Sequence, residues 1–172
     1  MTDTSRVGPP LTGLDEREML RAWLDYHRAT LVMKCDGLTD EQLCQRSCAP
    51  SSLSLLGLLQ HMTEVERGWF QRTFAGAEAE PLYYSDAEPD GDFDTLAPDG
   101  VAAVRELYAT TLETARRIEA QAPTLDTDGA LVREDRGPVS LRWIMVHMIE
   151  EYARHNGHAD LLRERIDGTT GE

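Results

Sequence analysis

The chain has 172 residues, and 31 Asp+Glu against 17 Lys+Arg leave a formal net charge of −14. That length suits one domain spanning residues 1–172, with a core large enough to stand without disulfides or metals as staples. The acid excess excludes a general nucleic-acid binder, which needs a basic face to displace phosphate counterions, and it disfavours docking on an anionic membrane.

Periodicity of 3.6 residues recurs four times, and no strand-like alternation of useful length is present. The first helix is predicted from about Leu14 to Cys35, with Leu20, Leu24 and Leu31 on one line and Gly37 as its stop. Thr39-Asp-Glu-Gln42 reads as a capping box for a short helical turn. Pro50-Ser51-Ser52 offers the next cap, and a second long helix follows over about 52–74. In it Leu55, Leu58, Met62, Val65 and Trp69 step by 3 and 4 along one apolar stripe.

Gly76 to Gly100 carries eight acids, no base, and Pro81, Pro89 and Pro98. It reads as a long solvated crossover that can cover one end of the structure. The third helix begins near Pro98-Asp99 and runs over about 99–121, with Val101, Val104, Tyr108, Thr111, Ala115 and Ile118 in step. Leu125 to Pro138 is an irregular connection in which Ala130-Leu131-Val132 is briefly extended. Ser140 then caps a fourth helix over about 140–166, closed by Gly168. The expected fold class is all-α: a four-helix bundle with a long crossover between its second and third helices, whose sites are built from facing side chains.

The fourth helix carries the chemistry. His155 stands on its apolar stripe where an aliphatic residue is expected, with Glu151 one turn before it and His158 one turn after. A carboxylate and an imidazole at i, i+4 point the same way and can chelate one cation. A buried carboxylate beside imidazoles costs several kcal/mol unless a cation or hydrogen bonds offset it. His61, three residues after Leu58 and four before Val65, faces inward from the second helix. His61, Glu151 and His155 are therefore the candidate metal ligands. Three N/O donors suit a divalent transition ion and leave a coordination position open, as catalytic sites do.

Other placements stay open. His158 can be a fourth ligand, a neighbour of the ligands or a half-exposed helix residue. His147, Glu151 and His155 form an alternative triplet, though it drifts around the helix. His27 lies on the first helix's apolar line and can either reach the same cavity or serve as a core histidine. Arg154, Arg142 and Arg67 are candidates for the rim of a pocket. Cys35, Cys44 and Cys48 lack any CxxC spacing and read as small apolar side chains.

Met1 to Pro10 lacks the apolar core of a leader, and no run of about 18 apolar residues exists, so a cytoplasmic protein is expected. Sixteen arginines against the single Lys34, with the single Asn156, suggest a GC-rich bacterial source.

Two stretches carry a resemblance. Ser54-Leu-Leu-Gly-Leu-Leu-Gln-His61-Met-Thr-Glu-Val-Glu-Arg-Gly-Trp69-Phe70 resembles the second helix of the DinB-like superfamily, in its actinobacterial branch related to mycothiol-dependent enzymes. That branch includes maleylpyruvate isomerases and mycothiol S-transferases. His147-Met-Ile-Glu-Glu151-Tyr-Ala-Arg-His155-Asn-Gly-His158, with Asp167-Gly168, resembles its fourth helix. The resemblance implies an up-down-down-up bundle with one zinc or nickel ion, held by His61, Glu151 and His155. Many members have a histidine at the Glu151 position, and the maleylpyruvate isomerase type has a glutamate. It also implies homodimers in several members and, for this branch, mycothiol as a thiol cosubstrate, so the expected partners are a small thiol and an electrophile.

Three activities compete. A metal can activate a thiolate for S-transfer or isomerisation, or activate water in a small hydrolase. The third is a non-catalytic metal-binding stress protein.

Overall fold

The computed structural model describes residues 6–133 and 137–171. The expectations for Met1–Pro10 and for the 125–138 connection fall partly on residues outside those ranges. The described chain is mostly helical, with one two-stranded sheet.

Helix α1 (Glu16–Cys35) is opened by a reciprocal cap: the Asp15 carboxylate accepts from Glu18 N, and the Glu18 carboxylate accepts from Asp15 N. A short α2 (Asp40–Leu43) starts from the expected box, with the Thr39 hydroxyl accepting from Gln42 N and the Gln42 amide oxygen from Thr39 N. Helix α3 (Leu55–Glu66) begins three residues later than Ser52 predicts. Its cap is Ser54, whose hydroxyl accepts from Gly57 N at 3.1 Å, so the Pro50–Ser52 stretch belongs to the connection before it. The helix then widens into a π-helical segment, Arg67–Phe74, which periodicity alone reads as continuous α-helix.

The acidic crossover is less solvated than its charge suggests. It contains a short α4 (Gly91–Asp94) whose Gly91 and Asp92 are buried. A 3₁₀ turn, Pro98–Gly100, leads into α5 (Val101–Gln121). Strand β1 (Asp128–Arg133) pairs antiparallel with β2 (Gly137–Ser140), in an irregular register that sets Asp128 opposite Ser140 and Val132 opposite Pro138. A pair of strands this short is marginal alone. It is held by packing on the π-helical segment, where Gly129 lies close against the backbone of Thr73 and Phe74. Helix α6 (Leu141–Asp167) starts at the Ser140 cap and ends at Gly168, which has the left-handed φ of 79° that glycine adopts without strain.

The four long helices share one core. Helix α1 packs on α6 and α3, and α3 packs on α5 and α6. Leu24 and Leu31, Leu58 and Met62, Leu112 and Ala115, and Met145 and Met148 are all buried there. Through that core runs a polar hub with one side chain from each long helix. Arg28 of α1 donates to both Glu66 carboxylate oxygens on α3, at 2.7 and 2.8 Å. Tyr152 of α6 donates to Glu66 at 2.9 Å, and Tyr108 of α5 meets the Tyr152 hydroxyl at 2.9 Å. Burial, followed by the charge of Glu66, raises the Tyr152 pKa well above its usual range, so its hydroxyl stays a donor. No described helix is long and apolar enough to cross a membrane.

Candidate metal centre and the adjoining cleft

His61 is placed by its own helix and by the crossover. Gly57 stands one turn earlier on α3, where a Cβ would come within 3.2 Å of the Phe93 ring. The missing side chain lets α4 lie against α3. Gly91 makes a second accommodation within the crossover, because a Cβ there would run into the Tyr83 carbonyl. The close approach sets the Asp92 carboxylate 2.7 Å from His61 Nδ1 and stacks Phe93 on the imidazole at 4.8 Å. A carboxylate only accepts, so Nδ1 carries a proton, and in the neutral ring the lone pair of Nε2 is left for another partner.

His155 of α6 faces His61 with ring centroids 4.7 Å apart. Its Nε2 lies 3.5 Å from Glu151 Oε2, longer than a normal N–H···O bond, and its Nδ1 lies 3.4 Å from His158 Nδ1. Burial and then the neighbouring His61 and His158 pull the His155 pKa down to about 4. It is therefore a neutral imidazole at physiological pH, the form that ligates.

Glu151 also reaches His147 Nε2 at 3.6 Å. Among the described residues, the group whose donor atoms all lie within 4.8 Å of one another is His147, Glu150 and Glu151. The set His61, Glu151 and His155 is more widely spaced than that. The two groups share Glu151, and the one on α6 alone has the spacing that could hold a single cation. His147 is also stacked on Trp143 at 4.9 Å and meets Trp69 edge-on at 4.7 Å.

The remaining candidates fall elsewhere. His27 meets Asn156 Nδ2 at 3.4 Å and stacks on Trp23, which makes it part of the α1–α6 interface. Cys35 is buried, and burial pushes its thiol up to about 12, so it is no nucleophile at neutral pH. Arg154 pairs with Glu150 and Glu151 at the edge of the cluster, while Arg142 pairs with Glu16 and Asp126.

A cleft of about 510 Å³ opens beside His61, between the α3–π segment, the crossover and the hairpin. Arg72 lines it, with Glu64, Trp69 and Phe93. Sequence periodicity points to none of Asp92, Glu64 or Arg72 as a site residue. The usable signal for Asp92 is its setting: Gly91 and Phe93 flank it within a run of acids, and an aromatic beside a glycine there marks a buried turn.

No curated protein matches the chain significantly. The sequence model of the family described as mycothiol S-transferase matches residues 19–168, from α1 to the end of α6, and the chain belongs to that family.

Proposed function

We propose that the protein is a metal-dependent thiol S-transferase in which His61, Glu151 and His155 hold one divalent ion, zinc or nickel, and mycothiol is the thiol. In this reading the four long helices form one up-down-down-up bundle, with residues 75–100 as its crossover. The observation that carries the proposal is His155, a buried neutral imidazole set against His61 and Glu151 by contacts too long to be good hydrogen bonds. Two nitrogens and a carboxylate fit the donor preferences of such an ion.

A metal bound there supplies the charge that keeps a thiol deprotonated at neutral pH. The chain's own residues do the rest. Asp92 fixes the His61 tautomer and Phe93 fixes its ring plane, so Nε2 is presented in one direction. Glu151 contributes the negative charge that two neutral imidazoles lack. The cleft beside His61 receives the thiol and the electrophile, and its apolar wall of Trp69 and Phe93 shields the attacking sulfur from water.

The test is cobalt substitution followed by mycothiol titration. A sulfur-to-cobalt charge-transfer band, one cobalt per chain, and loss of both in His155→Ala are expected. Turnover of an electrophile with water and without any such band would favour the hydrolase. Loss of the metal in His147→Ala but not in His155→Ala would move the ion to His147, Glu150 and Glu151, the position their spacing favours.

A further inference from the structure

His155 stands between two neighbours on its own helix, and each faces a different ring nitrogen. Glu151, four residues before it, sets Oε2 3.5 Å from Nε2. His158, three residues after it, sets its Nδ1 3.4 Å from the His155 Nδ1, with the two rings edge to face at 72°. A neutral imidazole carries a proton on one nitrogen and a lone pair on the other. For two neutral rings to attract across an Nδ1···Nδ1 contact, one must donate and the other accept. Which ring holds that proton decides what His155 can do. With the proton on its Nδ1, the Nε2 lone pair faces Glu151 and is free for a cation. With the proton on Nε2, that nitrogen is closed to one.

We infer that His158 is a positioning residue for the proposed metal site: its Nδ1 accepts the His155 Nδ1–H and holds His155 in the tautomer whose Nε2 lone pair faces Glu151. The inference rests on the proposed ligand set of His61, Glu151 and His155. Charge sets the direction. Glu151 is the anion of the two neighbours, so the cation belongs on the Nε2 side and the proton on the Nδ1 side. His155 is buried, and an Nδ1–H there without an acceptor would be costly. His158 is only half-buried, which lets water take its own Nε2–H. A ligating histidine generally donates its second ring N–H to an acceptor that fixes its tautomer and ring plane. Asp92 fills that place for His61, at 2.7 Å from Nδ1, and His158 fills it for His155. At 3.4 Å the contact is longer than a good hydrogen bond, and a small rotation of the half-buried ring closes it.

The test compares wild type with His158→Phe, which keeps a flat ring without an acceptor, and His158→Asn, whose Oδ1 stands close to the place of Nδ1. Zinc affinity is measured by competition with a chromophoric chelator, and ring protonation by ¹H–¹⁵N correlation spectroscopy of the histidine rings. Zinc binding should weaken about 10–100-fold in His158→Phe and recover most of that loss in His158→Asn. His155 in zinc-loaded wild type should carry its proton on Nδ1. A proton on Nε2 there would overturn the inference whatever the variants do, including a His158→Phe that fails to fold. Equal affinity in wild type and folded His158→Phe would overturn it as well. Equal loss in both variants, with a metal-bound shift on a His158 nitrogen, would make His158 a ligand instead. Zinc that fails to bind wild type would sink the ligand set itself. Zinc that is lost in His155→Ala but unchanged in His158→Phe would sink the positioning role alone.

Discussion

Helices α3 and α6 each contribute to two polar clusters inside the protein, and the clusters differ in one respect. In the hub, Glu66 and Tyr152 meet Arg28 and Tyr108, and donors and acceptors match at 2.7–2.9 Å. At the other cluster, His61 and His155 face each other with Glu151 alongside, and the contacts around His155 are 3.4–3.5 Å. A matched network holds helices together and has nothing left to bind. A group of lone-pair donors with few protons between them is open to a cation, as the proposed function has it. In that proposal the same two helices carry a structural device and a functional one.

The comparison breaks most visibly at the hub. Glu66→Ala leaves the buried Arg28 guanidinium with only the partly exposed Asp25 as an anionic partner, and denaturant unfolding should show a loss of about 3 kcal/mol. The double change Arg28→Met with Glu66→Leu should recover most of that loss, because it removes both charges. The proposed metal cluster should respond to ligand instead. Zinc at roughly one hundred times its Kd should stabilise wild type by about 2.7 kcal/mol. In His155→Ala that increment should vanish from the melting curve. If the increment survives, His155 is not a ligand. Tyr152→Phe removes one donor to a charged acceptor and should cost about 1.5–3 kcal/mol without changing the zinc increment. A change in zinc affinity there would show that the two clusters are coupled.

The smallest effect concerns pH and a third polar group, on the α1–α5 seam. Burial works to raise the Glu119 pKa, but hydrogen bonds from Arg21 and Arg17, with their charges, outweigh it and hold the carboxyl below its ordinary value of 4.5. A depressed carboxyl stabilises the fold above its unfolded pKa, and the contribution fades as pH falls through the folded value. Wild type should therefore lose stability faster than Glu119→Gln as pH drops below 4.5. Equal acid limbs in urea unfolding would count against the Arg17–Arg21–Glu119 pairing.

Much of this was legible before any coordinates. Apolar spacing of 3 and 4 located the four long helices to within three residues at every end, since burial of one face imposes that period. The Thr39–Gln42 box, the Ser140 cap and the Gly168 stop are local hydrogen-bond and φ requirements, which neighbouring residues satisfy by themselves. The candidate ligands were read from spacing too: His155 is polar on a stripe that should be apolar, Glu151 stands one turn before it, and His61 falls between Leu58 and Val65. Periodicity also gave a wrong start at Ser52, because four serines lie between 47 and 54 and only the three-dimensional path selects Ser54 as the cap.

What the tertiary structure alone decided is which distant partners meet. Asp92 is one acid among eight in the crossover, and it reaches His61 because Gly57 lets α4 lie against α3. Arg28 and Glu66 look like surface charges in sequence, yet each lies in a core that the other makes tolerable. The hairpin forms because the π-helical segment gives it a face to pack on. Local periodicity encodes which way a side chain points. It does not encode what it meets there, because a contact between residues far apart in the chain exists only once the helices have packed.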